Sequence, residues 1–184
     1  MGNKGGHAAQ TVAPYYPRIV EVLIRAIWFR PRIPAGKARR LRFIERIFGR
    51  RRIRVLTRPG FLFACNQMDW LQRNLLCNRI HEQEVTDHLA ASFVGDDIFF
   101  DIGANTGYFS CLALSCGVRE VTAFEPDPDT CAVMDAQRRL NGWDHTALSI
   151  VPMGLSDESG HQQLIRGSDS GESGFGDWPH REPV

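Results

Sequence analysis

The stretch from Ile98 to Ser110, IFFDIGANTGYFS, constrains the fold more than any other part of the chain. An apolar run meets an aspartate, then two glycines four residues apart, then a second apolar run. The first run predicts a strand buried on both faces. Gly103 and Gly107 open backbone conformations closed to other residues, so the chain turns sharply into a helix that starts near Thr106 and closes on Gly117. The pattern then repeats. EVTAFE reads as a second strand, DPDTCAVMDAQRRLNG as a second helix, and ALSIVPMGLSD as a third strand. Acids open that second helix and Arg138 and Arg139 close it, which complements its dipole at both ends. Strands alternating with helices predict an α/β, Rossmann-like, doubly wound parallel sheet.

The sequence before this block has a different charge. Met1 to Gly60 holds fifteen of the 22 basic residues and two of the 21 acids, so the rest of the chain is acidic. Two charge regimes suggest two structural jobs. Residues 1–51 read as a basic, partly helical extension. Its first helix, about Arg18 to Arg30, carries Ile19, Val20, Leu23, Ile24, Ile27 and Trp28 as one apolar stripe. A second, within AGKARRLRFIERIFGRRR, sets Leu41, Ile44, Ile47 and Phe48 against arginines. Such a surface reads first as an extension packed on the domain, then as a contact for an anionic membrane, then for nucleic acid. Trp28, Phe29, Phe43 and Phe48 among the bases favour the membrane of those two partners.

Residues 52–166 read as the α/β domain. RIRVLTRPGFLFACN is a hairpin around Pro59-Gly60, whose order suits a type II turn. DWLQRNLLC is a short helix, and HEQEVTDHLAASF another, with Val85, Leu89 and Phe93 on one face and Gly95 at its end. GHQQLIR is one element of a hairpin, and residues 167–184 read as a Gly/Ser-rich tail or a truncated loop. Five cysteines without a C-x-x-C spacing argue against a disulfide framework or zinc site and fit a reducing, cytoplasmic setting. No run of about 18 apolar residues occurs. His81 and His88, seven apart, read as surface histidines on one helix rather than a metal pair.

In a sheet of this kind, ligands bind beyond the carboxyl ends of the strands, where DIGANTG sits. The helix after it offers unpaired N–H groups to an anionic group. Glu125 ends the second strand 22 residues beyond Gly103, placed to accept hydrogen bonds from two ribose hydroxyls. A dinucleotide site needs a glycine where Asn105 stands, and Asp101 repels a diphosphate while suiting an ammonium group. A ligand with amine, carboxylate and ribose but no phosphate meets each residue, and S-adenosyl-L-methionine is such a ligand.

DIGANTGYFS, VTAFEPDPDT, RRLNG and VPMGLSDESG, in that order, resemble the FkbM family of S-adenosylmethionine-dependent methyltransferases, over about Arg52 to Gly176. The resemblance implies that Asp101, Gly103, Ala104, Asn105 and Gly107 hold the methionine end, Glu125 the ribose, and Pro126 the adenine side. It also implies methyl transfer to the oxygen of a small hydroxylated metabolite or sugar. GLSD approaches the adenine by the same comparison. HEQEVT is similar to the family stretch before the first sheet strand; it keeps Glu82 and Glu84, but Arg79, His81 and Gln83 depart from the pattern. No residue stands out as general base. The family pattern continues past the third strand, so the expectation is a C-terminally truncated chain of low stability and little turnover, with one apolar sheet edge unpaired. The competing reading is a non-catalytic remnant that binds cofactor, a membrane or a partner only.

Overall fold

The computed structural model describes residues 15–29, 37–49, 51–66, 69–161, 163–165 and 174–175. Thirteen elements follow in chain order within them: α1 (Arg18–Phe29), α2 (Lys37–Phe48), β1 (Ile53–Leu56), β2 (Leu62–Cys65), α3 (Trp70–Asn78), α4 (Gln83–Ser92), β3 (Ile98–Ile102), α5 (Tyr108–Ser115), β4 (Glu120–Phe124), α6 (Pro128–Leu140), β5 (Leu148–Val151), β6 (Leu164–Ile165) and β7 (Gly174–Phe175).

The centre is a parallel sheet of order β3-β4-β5, with Asp101 beside Ala123 and Ala123 beside Ile150. Each parallel step is bridged by a helix, α5 and then α6, and Ala113 of α5 and Met134 of α6 share one buried cluster with Val121, Ala123 and Leu148. Both helices therefore cover the same face. This is half of a Rossmann-like doubly wound arrangement, three strands with helices on one side.

The opposite face corrects a sequence expectation. Ile98, Phe100 and Ile102 are 48%, 59% and 65% exposed, so β3 is not buried on both faces. Its residues alternate as a half-covered strand does, with Phe99 and Asp101 turned toward the helices. Phe100 stacks on Phe124 across the open face, ring centroids 6.4 Å apart. The periodicity was apolar throughout because it marks what the strand can bury; it does not record what covers it.

A second core joins the N-terminal extension to the β1–β2 hairpin, α3 and α5. Tyr16, Val20 and Ile24 are buried with Ile53, Val55, Phe61, Phe63, Leu75, Leu76, Tyr108 and Leu112. The Glu21 carboxylate is drawn inward and accepts from the Arg54 guanidinium and backbone N–H at 3.0 and 3.1 Å, while Tyr16 N–H donates to the Arg52 carbonyl at 3.1 Å. The expected single stripe on α1 is split: Val20 and Ile24 are buried, whereas Ile19 and Leu23 face outward. The side chains of Trp28, Phe29 and Leu41 lie outside the described residues.

β1 and β2 pair antiparallel, from Ile53 beside Cys65 to Leu56 beside Leu62. Their turn closes on a bond from Gly60 N–H to the Thr57 carbonyl, and Thr57 N–H donates to the Phe61 carbonyl. The loop is thus three residues, Arg58 to Gly60, ending on Gly60 at φ +103°. A three-residue loop with glycine last replaces the expected type II turn on Pro59-Gly60. The outer edge of β2 is satisfied by side chains. Gln137 accepts from Ala64 N–H at 2.7 Å and donates to its carbonyl at 3.1 Å, and Asn141 does the same for Leu62 at 2.8 Å each way. Two amides, one on α6 and one at its C-cap, stand in for a third strand.

α4 ends earlier than expected. Phe93 leaves the helix in extended conformation, and the left-handed residue after it is Asp96, φ +71°, not Gly95. Val85 points outward, while Thr86 is buried and Leu89 and Phe93 pack inward. Beyond β5, β6 pairs antiparallel with β7, Leu164 beside Phe175, so Gly174 and Phe175 of the expected tail belong to a strand. The expectations for residues 1–14 and for the rest of the tail lie outside the described residues.

Candidate functional site

The site is assembled where β3 and β4 end. Asp101 is the last inward-facing residue of β3, and Glu125 follows β4 in the same side-chain phase as Val121 and Ala123. The strand period of two therefore puts both acids on the helix-bearing side. Both are nearly enclosed, at 8% and 7% exposure.

Between them runs the loop from Gly103 to Gly107. Its start is fixed to β4, because Gly103 and Ala104 N–H both donate to the Phe124 carbonyl at 3.0 Å. Its middle is fixed by Glu125, whose carboxylate accepts from Asn105 N–H and, with the other oxygen, from Asp127 N–H, each at 2.9 Å. The path requires positive φ at Gly103 (+74°), Asn105 (+50°) and Gly107 (+82°), an array that asparagine tolerates and glycine prefers. The two glycines serve different ends. A Cβ on Gly107 falls 2.6 Å from Met134 Cγ, so this glycine lets α5 approach α6, whereas a Cβ on Gly103 meets nothing within 4 Å.

The sequence-derived residues are accordingly divided. Asp101, Gly103, Asn105 and Glu125 converge on one loop. Ala104 is turned into the α5–α6 core, and Gly107 is committed to helix packing. Pro126 is half-buried between Glu125 and Asp127, the residue that caps α6 by accepting from Asp129 N–H at 2.9 Å. Gly154 to Asp157 is exposed chain just past β5.

The electrostatics are those of uncompensated acids. The Asp101 carboxyl is pushed above its ordinary value by burial, against hydrogen bonds from the Ser110 hydroxyl at 2.6 Å and from the Ser110 backbone N–H in the first turn of α5. Glu125 is likewise raised by burial, opposed by its two backbone donors and reinforced by the charges of Asp127 and Asp101. No basic side chain among the described residues contributes to either shift. The Asn105 Oδ1 is buried with no hydrogen-bond partner. A buried acceptor beside two acids fits a ligand that brings cationic and hydroxyl donors. It does not fit a diphosphate.

His81 is a neighbour that the sequence did not place here. It precedes α4 rather than lying on it, so it does not share a helix face with the exposed His88. Its ring packs edge-on to Tyr108, 5.3 Å between centroids, and lies 5.8 Å from Phe109 at the start of α5. Burial pushes its pKa down, against the pull of Glu82. Tyr108 is a core residue and Phe109 packs partly against that core. No sequence period links His81 to α5; the contact comes from how α4 docks.

No protein-family profile matches the chain, and no curated protein does. Among solved structures, the chain is similar to the ribosomal protein L11 methylase of Lactobacillus delbrueckii subsp. bulgaricus, at 20% identity and a TM-score of 0.34, covering 39% of this chain and 38% of that one. It is similar to Pyrococcus horikoshii TYW2 in complex with MeSAdo, at 17% and 0.46, covering 71% and 53%. It is also similar to a SAM-dependent methyltransferase of Agrobacterium tumefaciens, at 11% and 0.39, covering 55% and 32%. The chain thus spans between about a third and about a half of the length of these proteins. Any functional reading rests on the site itself.

Proposed function

We propose that the loop from Asp101 to Gly107, with Glu125, binds S-adenosyl-L-methionine, and that the chain is the cofactor-binding part of a methyltransferase. The observation that carries this is the pair of buried acids without a cation, set on either side of a glycine turn that holds an orphaned Asn105 oxygen. When bound, the cofactor supplies an activated methyl on a positively charged sulfur. Asp101 suits the amino group, and the N–H groups opening α5 suit the carboxylate. Glu125 already accepts one N–H on each oxygen, and each retains a lone pair for a ribose hydroxyl. Pro126 offers an apolar edge on the adenine side. The protein's contribution to transfer is orientation and closeness of donor and acceptor. Oxygen of a small hydroxylated metabolite or sugar is the proposed acceptor, following the resemblance to the FkbM family.

A second reading, cofactor binding without transfer, is supported by the open face of the sheet, where Ile98, Phe100 and Ile102 stand exposed. Titration calorimetry with S-adenosylhomocysteine tests the shared step. Binding in the micromolar range, abolished by Glu125→Ala and strongly weakened by Gly103→Val, supports the site; no heat from a folded wild-type chain removes it. Turnover of labelled donor with pooled hydroxylated acceptors then separates transfer from binding alone.

A further inference from the structure

The N-terminal helices present an outward face that neither core uses. On α1, Ile19, Val22, Leu23 and Ala26 recur at i, i+3, i+4 and i+7, a contiguous stripe on one side of the helix. All four are exposed, and the first three are more than half exposed. The helix is thus apolar on two sides, since Val20 and Ile24 fill the core. α2, which packs on α1, repeats the arrangement with Phe43 and Ile47, also more than half exposed and one turn apart. Arg39, Arg42 and Arg46 are exposed at three- and four-residue spacings around them.

The acids of this region are turned away. Glu21 is buried against Arg54, and Glu45 is half-buried, two residues from Phe43 and so on the far side of α2. Ile44 and Phe48, on the inner flank, pack against the core. What faces out is apolar residues ringed by guanidinium groups, and isolated exposed apolar residues need no explanation whereas two adjoining stripes do.

We propose that the α1–α2 face docks on an anionic lipid surface, with Ile19, Val22, Leu23, Phe43 and Ile47 entering the headgroup boundary and Arg39, Arg42 and Arg46 pairing with phosphates. Charge and side-chain type both select this occupant. Aliphatic side chains gain by leaving water for the acyl boundary, whereas single-stranded nucleic acid needs aromatic platforms to stack on. Phe43 is the one exposed phenyl ring on this face among the described side chains. The proposal is independent of the methyl-donor site.

The test is flotation of the full chain with phosphatidylcholine vesicles, with and without about one-third phosphatidylglycerol, at roughly 0.1 M salt. Binding to the anionic vesicles alone is expected. Arg39→Gln, Arg42→Gln and Arg46→Gln together should lower the partition coefficient on the order of a hundred-fold. Leu23→Ser with Phe43→Ser should weaken binding at low salt too, where charge alone would hold the protein. Because all these side chains are exposed, the melting temperature should not move; were the triple variant to unfold, the serine pair on exposed sites carries the test. Failure to float with anionic vesicles overturns the proposal, as does flotation that neither set of substitutions changes. Two further results would overturn it in favour of another occupant: RNA binding without vesicle binding, or a dimer that Leu23→Ser and Phe43→Ser dissolve.

Discussion

Glu125 accepts the backbone N–H of Asn105 at 2.9 Å, so the acid that ends β4 also holds the glycine loop that follows β3. Its other oxygen holds Asp127 N–H, the residue that caps α6. One side chain therefore fastens the loop, the strand end and a helix start.

Glu125→Ala should for this reason cost stability as well as ligand affinity. It leaves two N–H groups without their acceptor, about 1–3 kcal/mol each where no water replaces it. Glu125→Gln keeps one acceptor oxygen and should cost less. Urea denaturation of both variants checks the order; equal stability of Ala and wild type would show that the loop does not depend on this side chain.

Gly103 and Gly107 should separate binding from folding. Gly107→Ala meets both a positive φ and Met134 Cγ at 2.6 Å, so a loss beyond about 2 kcal/mol is expected, partly recovered by Met134→Ala. Gly103→Ala meets no neighbour within 4 Å and should cost only the backbone preference, about 1 kcal/mol. A double-mutant cycle on Gly107 and Met134 measures the steric part directly; zero coupling would contradict the packing described.

The pH dependence follows from the two raised carboxyls. In the unfolded chain Asp101 and Glu125 take their ordinary values, 3.8 and 4.5, and in the folded protein burial lifts both. The folded state then holds more protons across that interval. Stability should fall as pH rises from about 4 through the raised values and level off above them. Asp101→Asn should flatten this slope in denaturation profiles taken at several pH values. A cationic ligand should release protons on binding at pH values below these raised ones, detectable as a buffer-dependent calorimetric heat.

Sequence patterning revealed the strand–helix alternation because each step is local: an apolar run, a glycine turn, a capped helix. The positions of Asp101 and Glu125 at neighbouring strand ends were legible for the same reason, since strand phase fixes which way they point. Gln137 and Asn141 stayed hidden. An amide on the inner side of a helix looks like any polar residue until β2 is placed beside it, 73 residues away for Gln137 and Ala64. The split of α1 between two apolar faces was also illegible, because periodicity counts apolar residues without saying which neighbour they meet.

Gln137→Leu should expose that hidden contact. The change removes an acceptor and a donor from the buried backbone of Ala64 and adds an apolar group of similar size, so a loss of about 2–4 kcal/mol is expected. Hydrogen exchange at the Ala64 amide should accelerate more than exchange at Val55 on β1. Uniform acceleration would mean that α6 is only a packing surface.

The open side of the sheet makes the last prediction. Ile98, Phe100 and Ile102 line one side of β3, the strand whose outer edge has no partner among the described residues. An exposed apolar face beside an unpaired edge favours association of copies. Phe100→Thr puts a β-branched residue of high strand propensity in its place, loses the stacked contact with Phe124, and removes the most exposed ring of the face. It should reduce light scattering at high protein concentration while changing the melting temperature little. If scattering is unchanged and the protein unfolds instead, Phe100 is buried in solution and something already covers this face.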